Sequence, residues 1–309
     1  MGLDGAAGLA SSPPWVEKRL REGAAAFRSV AGGSSVQIGD AFVKVAQHDI
    51  IAAKTKALKE ELLSDSRWDL GAQAALRSAG GPGAAGWLRL PREPAHHLSN
   101  KQWDIAVRTR LDMVIPECCG VCQHRRPTGA ICGAPLDSKG LHARTCAIGG
   151  WVVRKHDACC GILKDWCLDL GCHGESEVIL PGASPDHPEA RMDLIVHAPN
   201  IVGPVHIDLT TVSAASQEAL GKGSAGKDGA TAACAAVRKR AKYPMCAVLP
   251  FVLEHHGRFG EDALSFVRKI APRETAARSE ALVKLYQAIG ATMQRLAADA
   301  IIAATTSRI

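Results

Sequence analysis

Two stretches decide the fold of this chain: Ala190-Arg-Met-Asp-Leu-Ile-Val-His197 and Pro204-Val-His-Ile-Asp-Leu-Thr-Thr-Val212. Each is a short, strand-like run that carries one aspartate, Asp193 or Asp208. The residues between them, 199–204, contain two prolines and a glycine and are typical of a turn. We therefore predict two adjacent strands with both carboxylates at one end of a sheet, although strand acids that face solvent would have the same spacing.

Paired carboxylates on neighbouring strands are typical ligands of a hard divalent cation. Mg²⁺ prefers oxygen ligands and keeps positions open for water and phosphate. A cation held by Asp193 and Asp208 can orient a water molecule and stabilise charge during phosphodiester cleavage. Glu177, which precedes an apolar run, is a candidate third ligand, whereas Glu175 is equally well explained as a loop acid. The pattern predicts Mg²⁺ or Mn²⁺ at this position.

Composition and charge narrow the class of protein. The chain has 309 residues, of which 47% are hydrophobic, so it can form a sizeable core and two domains. Its net charge of +6 is compatible with a nucleic-acid partner without requiring one. The first residues lack a basic segment followed by an apolar run, and no stretch has the length of a membrane span. We expect neither secretion nor a membrane partner.

The cysteines indicate a zinc site. Nine of the eleven cysteines lie between Cys118 and Cys172. An odd total without a secretory signal favours reduced thiols and metal ligands over disulfides. Residues 116–150 have few apolar side chains and need a metal to fold. The predicted ligands of a closed structural zinc site follow the spacing Cys122-x9-Cys132-x9-His142-x3-Cys146, with Cys119 as an alternative to Cys122.

The order of predicted elements indicates an α/β fold with a mixed sheet flanked by helices. Helices are predicted at 41–63, 151–170 and 230–242, strands at 190–198, 204–213 and 245–254, and a helical tail follows. The predicted domains are a helical N-terminal region over 1–115 with a loose first 40 residues, a zinc knuckle over 116–150, a core over 151–272 and a C-terminal helix over 273–309.

Two basic segments flank the strands. Arg238-Lys-Arg-Ala-Lys-Tyr243 places Lys239 and Lys242 on one helix face, where either lysine could stabilise charge beside a metal. Arg238 and Arg240 are candidate phosphate contacts. A solvated helix face would have the same composition.

The second basic segment is Arg154-Lys-His-Asp157, at the start of the preceding helix. Arg154 and Lys155 are candidate contacts to DNA phosphates. His156 falls on the apolar stripe of that helix, where a histidine is more often a core residue than a ligand.

Taken in order, these motifs resemble the C-terminal region of non-LTR retrotransposon polyproteins that carry a restriction-like endonuclease. In that family a Cys-Cys-His-Cys zinc knuckle precedes an Arg-His-Asp or Arg-His-Asn motif and a PD-(D/E)xK-type nuclease. The resemblance covers about residues 118–270. The matching segments are Cys122-Gln-His-Arg125, Cys132 through Cys146, Gly149-Gly150, Val153-Arg-Lys-His-Asp157, Ala190-Arg-Met-Asp193, Asp208-Leu-Thr210 and Arg238-Lys-Arg-Ala-Lys-Tyr243.

The resemblance implies a restriction-endonuclease-like sheet that nicks DNA with Mg²⁺ or Mn²⁺. It assigns Asp193 and Asp208 to the catalytic metal, His156 to the Arg-His-Asp motif and DNA contact, and Lys239 or Lys242 to catalysis. Cys122, Cys132, His142 and Cys146 match the zinc ligands. DNA is the implied partner, with the RNA of a parent element as a further one. The implied location is the nucleus, or otherwise the cytoplasm.

The chain departs from the family pattern at three positions. Met192 precedes the first aspartate in place of proline, Lys155 directly precedes His156, and Thr210 stands where many restriction-type nucleases have lysine. No Tyr-x-Asp-Asp sequence is present, so we expect no reverse transcriptase. The alternative function is therefore a catalytically inactive, zinc-dependent nucleic-acid-binding fragment, and a structural zinc protein is a further one.

Overall fold

The computed structural model describes residues 47–65, 68–186 and 189–306. The chain divides into two compact units, Met1–Trp68 and Asp69–Ile309. In the first unit, helix α1 spans Gln47–Ser64 and matches the helix predicted at 41–63 from Gln47 onward. The first 40 residues, which we predicted to be loose, lie outside the described residues.

The second unit is a mixed α/β structure. Its helices are α2 (Leu70–Ala79), α3 (Asn100–Arg110), α4 (Leu141–Thr145), α5 (Trp151–Asp169), α6 (Gln217–Gly221), α7 (Ala230–Lys242), α8 (Glu261–Ile270) and α9 (Thr275–Thr305), with 3-10 turns at Gly86–Leu88 and Pro94–His96. Its strands are β1 (His173–Ile179), β2 (Arg191–His197), β3 (Val205–Val212) and β4 (Val248–Glu254).

The strands form one mixed sheet in the order β1-β2-β3-β4. The pairs β1–β2 and β2–β3 are antiparallel, and β3–β4 is parallel. The three predicted strands are confirmed as β2, β3 and β4, and their bounds differ from the prediction by at most three residues. Sequence analysis missed β1 because this edge strand is polar and largely exposed, so it lacks the apolar alternation that marks a half-buried strand.

Helices pack against both faces of the sheet. On one face, Ile207 and Phe251 share a buried cluster with Leu163 of α5 and Leu264 of α8. Successive strand residues point to opposite faces, and Val252 accordingly packs on the other face against small residues of α7, which are Ala232, Ala235 and Ala236. These alanines let α7 approach the sheet closely.

The boundary between the two units lies at residues 68 and 69, whereas we predicted residue 115. Helices α2 and α3 belong to the larger unit because they share its core and its hydrogen bonds. Trp87 and Ala106 pack against Ala291 of α9. Arg110 of α3 donates hydrogen bonds to the carbonyl oxygens of Ala79 and Ala84. The predicted C-terminal helix is therefore part of the core of this unit.

A buried histidine after β4 gives the unit a defined sensitivity to acid. Burial, with smaller contributions from two arginines, lowers the pKa of His256 to about 3. An unfolded histidine takes up a proton near pH 6.5. The stability that neutral His256 provides is therefore fully present above pH 6.5 and is lost as the pH falls toward 3.

We expect the His256→Gln variant to lack this acid-dependent loss of unfolding free energy. Between pH 7.5 and 5 the wild type should lose about 2 kcal/mol of unfolding free energy relative to the variant. Urea denaturation at both pH values measures this difference. The exposed His97 provides the control, because His97→Gln should follow the wild type. A His256→Gln variant with the wild-type pH dependence would contradict the assignment.

Candidate metal centre and acidic cleft

The four predicted zinc ligands lie together. One ligand atom from each of Cys122, Cys132, His142 and Cys146 lies within 4.8 Å of the other three. Cys132 Sγ is 3.5 Å from His142 Nε2 and 3.7 Å from Cys146 Sγ. Tetrahedral zinc separates two sulfur ligands by about 3.8 Å and a sulfur from a nitrogen by about 3.6 Å. The cluster could therefore hold a metal such as zinc, and Cys119 lies outside it.

An aspartate shapes the second half of this cluster. Asp137 accepts hydrogen bonds from the backbone N–H groups of Lys139, Leu141 and His142 at 2.7–3.1 Å. Burial raises the pKa of Asp137, but these hydrogen bonds outweigh it and the pKa is lower than usual. By capping α4, the carboxylate fixes the turn on which His142 and Cys146 are four residues apart.

The knuckle, defined here as residues 116–150, is attached to helix α9. The N–H of Gln123 donates to the carbonyl oxygen of Ala304 at 2.9 Å. His124 Nε2 lies 2.8 Å from the carbonyl oxygen of Ala300. Cys122 and Cys146 share a buried cluster with Ile301. The knuckle is therefore braced by the core of the unit.

The two predicted acids lie where strands β2 and β3 separate. The registered pairs between these strands end at Leu194 and Ile207, and Asp193 and Asp208 are the next residues. The N–H of Leu209 donates to Asp193 Oδ2 at 2.6 Å. Both acids line a cleft of about 750 Å³. The two acids thus lie on neighbouring strands and line one cleft, but they lie where β2 and β3 separate, within the sheet, whereas we predicted one end of the sheet.

One of the two candidate lysines contacts the acids directly. Lys239 Nζ lies 2.5 Å from Asp208 Oδ1. Lys239 is three or four residues beyond Ala235 and Ala236 and so continues the face of α7 that packs on the sheet. Lys242 also lines the cleft, but its ammonium lies over the Tyr243 ring, 4.9 Å from the centroid. The geometry therefore favours Lys239 as the lysine of this site.

The second oxygen of Asp208 shows what the two acids could bind. Asp208 Oδ2 is buried and has no hydrogen-bond partner among the described residues. A buried carboxylate oxygen without a partner is costly, and in native structures it usually indicates a water molecule or an ion. Oxygen donors of this kind suit Mg²⁺ or Mn²⁺. Asp193 and Asp208 therefore fit a hard divalent cation.

The surroundings shift the pKa values of the two acids in opposite directions. Burial raises the pKa of Asp208, and Lys239 only partly offsets this effect. Burial also raises the pKa of Asp193, but His156 and the Leu209 N–H outweigh it, so the pKa is lower than usual. Carboxylates with shifted pKa values in a cleft are typical of functional sites. A bound cation would favour the charged form of both.

His156 belongs to this cluster, although sequence analysis considered it as a core residue or a DNA contact. His156 Nε2 lies 3.1 Å from Asp193 Oδ2, and its Nδ1 lies 3.1 Å from Asp157 Oδ1. Its hydrogen bond with Asp193 contributes most to raising its pKa to about 11. The protonated imidazole therefore orients Asp193.

Glu177 does not line the cleft, although we predicted it as a third metal ligand. Its backbone has φ of 59°, and its carboxylate pairs with Arg191 at 2.7 Å. Both side chains are about half exposed. We leave Glu177 out of the candidate cation site.

Lys155 is buried, and its Nζ lies 3.3 Å from His255 Nε2. Burial lowers its pKa to about 8. Its ammonium group is therefore not available to a DNA phosphate, and we correct the predicted contact. The neighbouring Arg154 is exposed, and its guanidinium lies 4.7 Å from the centroid of the Trp151 ring.

The two candidate arginines of α7 both form ion pairs. Arg238 pairs with Glu218, and Arg240 pairs with Asp262. Both arginines remain about half exposed, so a phosphate could compete with these carboxylates. They stay candidates for DNA contact.

Sequence analysis missed two side chains of the site. Tyr243 is buried beside Asp208 and its hydroxyl lowers the pKa of that carboxyl, although the geometry of the described residues gives Asp208 Oδ2 no hydrogen bond. Cys160 Sγ lies 3.8 Å from His156 Nε2. The i, i+4 spacing of His156 and Cys160 on a predicted helix could have revealed the second contact. No comparable signal marks Tyr243, which ends its helix far from Asp208 in sequence.

No protein-family model matches the chain, and no curated protein matches it. Among the described residues, no helix has both the length and the apolar character needed to cross a membrane. None of the eleven cysteines forms a disulfide bond.

Proposed function

We propose that this protein is a metal-dependent endonuclease that nicks DNA. The observation that carries the proposal is the convergence of Asp193, Asp208 and Lys239 in one open cleft, with a buried Asp208 oxygen that has no hydrogen-bond partner among the described residues. Two carboxylates that hold a cation, with an ammonium group beside them, can support phosphodiester hydrolysis.

We further propose that the sheet is restriction-endonuclease-like. Support comes from the mixed four-stranded sheet of the described residues, whose two central strands carry the acids. After β3 the chain passes through the short helix α6 into α7, and α7 supplies Lys239. This position agrees with the displaced lysine that the resemblance implies, and it compensates for Thr210.

The residues of the cleft would divide the chemistry among them. Asp193 and Asp208 would hold Mg²⁺ or Mn²⁺, which supplies charge neutralisation and orients water when bound. The Lys239 ammonium would then exchange its contact with Asp208 for the non-bridging phosphate oxygens and stabilise the charge that develops there. His156 would act as a positioning residue, because it holds the Asp193 carboxylate from the helix side.

The proposed DNA-binding surface comprises the knuckle and Arg154, with Arg238 and Arg240 on α7. The exposed Arg154 guanidinium, stacked on Trp151, supports this surface. Contacts of this kind meet phosphates and orient a duplex without selecting its sequence.

Incubation of a supercoiled plasmid with the purified protein and Mg²⁺ or Mn²⁺ tests the proposed function. We expect conversion to the open-circular form only when the divalent cation is present. DNA binding without nicking would favour the alternative, a catalytically inactive, zinc-dependent nucleic-acid-binding fragment. Metal analysis of the same sample should find one zinc per chain.

We expect Lys239→Gln to slow nicking by about 10²–10³-fold, because it removes the positive charge nearest to the reacting phosphate. Lys242→Gln removes the same charge from the same helix but leaves the Asp208 contact intact, so its effect should be much smaller. Single-turnover rates with excess protein measure both variants. Equal losses, or a larger loss at Lys242, would contradict the assignment of Lys239.

We expect DNA affinity to fall steeply with salt, because phosphate contacts release condensed counterions. Arg154→Ala should lower the slope of log K against log salt by about 0.9, the value for one phosphate contact. Fluorescence anisotropy with a labelled duplex at several salt concentrations measures the slope. Lys284→Ala, which removes a cation paired with Asp169, should leave the slope unchanged.

A further inference from the structure

A second group of metal-binding side chains borders the acidic cleft. His156 and Cys160 lie one turn apart on α5, and Asp193 faces them from β2. One ligand atom from each of the three lies within 4.8 Å of the other two. All three side chains are partly exposed, so an ion can enter from the cleft.

The distances suit a soft or borderline transition metal. Cys160 Sγ is 3.8 Å from His156 Nε2, and His156 Nε2 is 3.1 Å from Asp193 Oδ2. A tetrahedral zinc ion separates a sulfur from a nitrogen ligand by about 3.6 Å and a nitrogen from an oxygen ligand by about 3.3 Å. Metal binding would release the proton that His156 Nε2 shares with Asp193 and the thiol proton of Cys160 to solvent. Three protein ligands would leave one position for water. Mg²⁺ would avoid this group because it prefers oxygen to sulfur and nitrogen.

We propose that His156, Cys160 and Asp193 form a second transition-metal site, which binds Zn²⁺ or Co²⁺ and inhibits the nuclease by occupying Asp193. The inhibition rests on the proposed function, whereas the metal site does not. One carboxylate then serves two sites: in the Mg²⁺ site it acts with Asp208, and in the second site it acts with an imidazole and a thiolate. Zinc binding would hold Asp193 on the α5 side of the cleft.

The site is distinct from the knuckle. The knuckle ligands come from residues 122–146, and no residue is shared between the two groups. The knuckle offers four protein ligands, which is typical of a closed structural site, whereas the second group offers three. A second ion should therefore bind more weakly and exchange faster than the knuckle zinc.

Titration of Co²⁺ into the full chain, purified with one zinc in the knuckle, tests the site directly. We expect one equivalent of Co²⁺ to produce thiolate-to-cobalt charge-transfer absorption in the wild type. Cys160→Ser should abolish this absorption. It should also weaken Co²⁺ binding by more than the roughly 10- to 100-fold that is lost when a group that contacts only a metal ligand is removed. Absence of the absorption in the wild type, or its persistence in Cys160→Ser, would overturn the site.

Cys246→Ser is the matched control. Cys246 Sγ also lies near a histidine, 3.4 Å from His206 Nδ1, but this pair is not part of any three-ligand group among the described residues. The variant should keep the cobalt absorption, and its loss would move the site to Cys246 and refute the proposal. Circular dichroism and zinc content establish that each variant is folded.

A plasmid assay tests the inhibition separately. Measured against its own rate with Mg²⁺ alone, Cys160→Ser should require at least about tenfold more added Zn²⁺ for half inhibition than the wild type. Equal sensitivity of both proteins to Zn²⁺ would overturn the inhibitory role. If the wild type does not nick DNA, the proposed function fails, and the cobalt titration still decides whether the site exists.

Discussion

Replacement of Asp208 by asparagine should reduce nicking by at least about 100-fold. Asparagine has nearly the same shape, so the substitution removes a negative charge while the packing of β3 is kept. The buried Oδ2, which has no hydrogen-bond partner among the described residues, is the atom that we expect to contact the cation. Its replacement by a neutral amide should also lower the affinity for Mg²⁺. The rate of plasmid nicking over a range of Mg²⁺ concentrations measures both effects.

Asp186→Asn is the control for this experiment. Asp186 also lines the cleft, but it is exposed and lies outside the central strands. Its removal changes the net charge equally and should leave nicking at the wild-type level. If Asp208→Asn nicks DNA as fast as the wild type, the proposed catalytic centre is wrong.

The second large effect is expected at the knuckle. Cys132→Ser should eliminate zinc binding and destabilise the larger unit. Zinc binding to structural sites contributes about 10–16 kcal/mol, which is comparable to the entire stability of a domain. Loss of only about a third of this free energy, roughly 4 kcal/mol, would lower Tm by about 8–16 °C. Zinc analysis and thermal unfolding measure the two consequences.

Cys119→Ser separates this effect from general loss of a thiol. Cys119 is exposed and lies outside the ligand cluster, so the variant should keep one zinc per chain and the wild-type Tm. Zinc loss in Cys119→Ser together with zinc retention in Cys132→Ser would mean that the ligand set is different. A Cys132→Ser protein that keeps its Tm would mean that the knuckle does not brace the unit.

Much of the site could be predicted from the sequence because its ligands follow local patterns. The spacing of the zinc ligands is set by short loops and one helical turn, so residue types alone indicate the cluster. Asp193 and Asp208 lie on strands joined by a short turn, and antiparallel pairing brings such residues together. The choice between Lys239 and Lys242 needed the structure, because both lie on one face of α7.

Other features depend on contacts that sequence periodicity does not contain. The burial of Lys155 depends on where the β4–α8 connection places His255. The positive φ of Glu177 turns its carboxylate toward Arg191. Helix α3 joins the larger unit by packing of Ala106 on α9, and helix α2 by packing of Ala74 against Ala214 and Ala225, whereas a composition break suggested a separate region. In each case tertiary contacts between distant segments decide the outcome.

The Asp193 carboxylate also has a mechanical task, because it accepts the Leu209 N–H at the point where the two central strands diverge. Asp193→Ala would leave the Leu209 N–H without its acceptor. Loss of activity in this variant could therefore come from loss of the cation ligand or from weaker contact between β2 and β3. Under the proposed function, Asp193 therefore serves both the cation and the contact between the two strands. In a related protein that no longer nicks DNA but must still fold, we therefore expect substitution of Asp208 before substitution of Asp193.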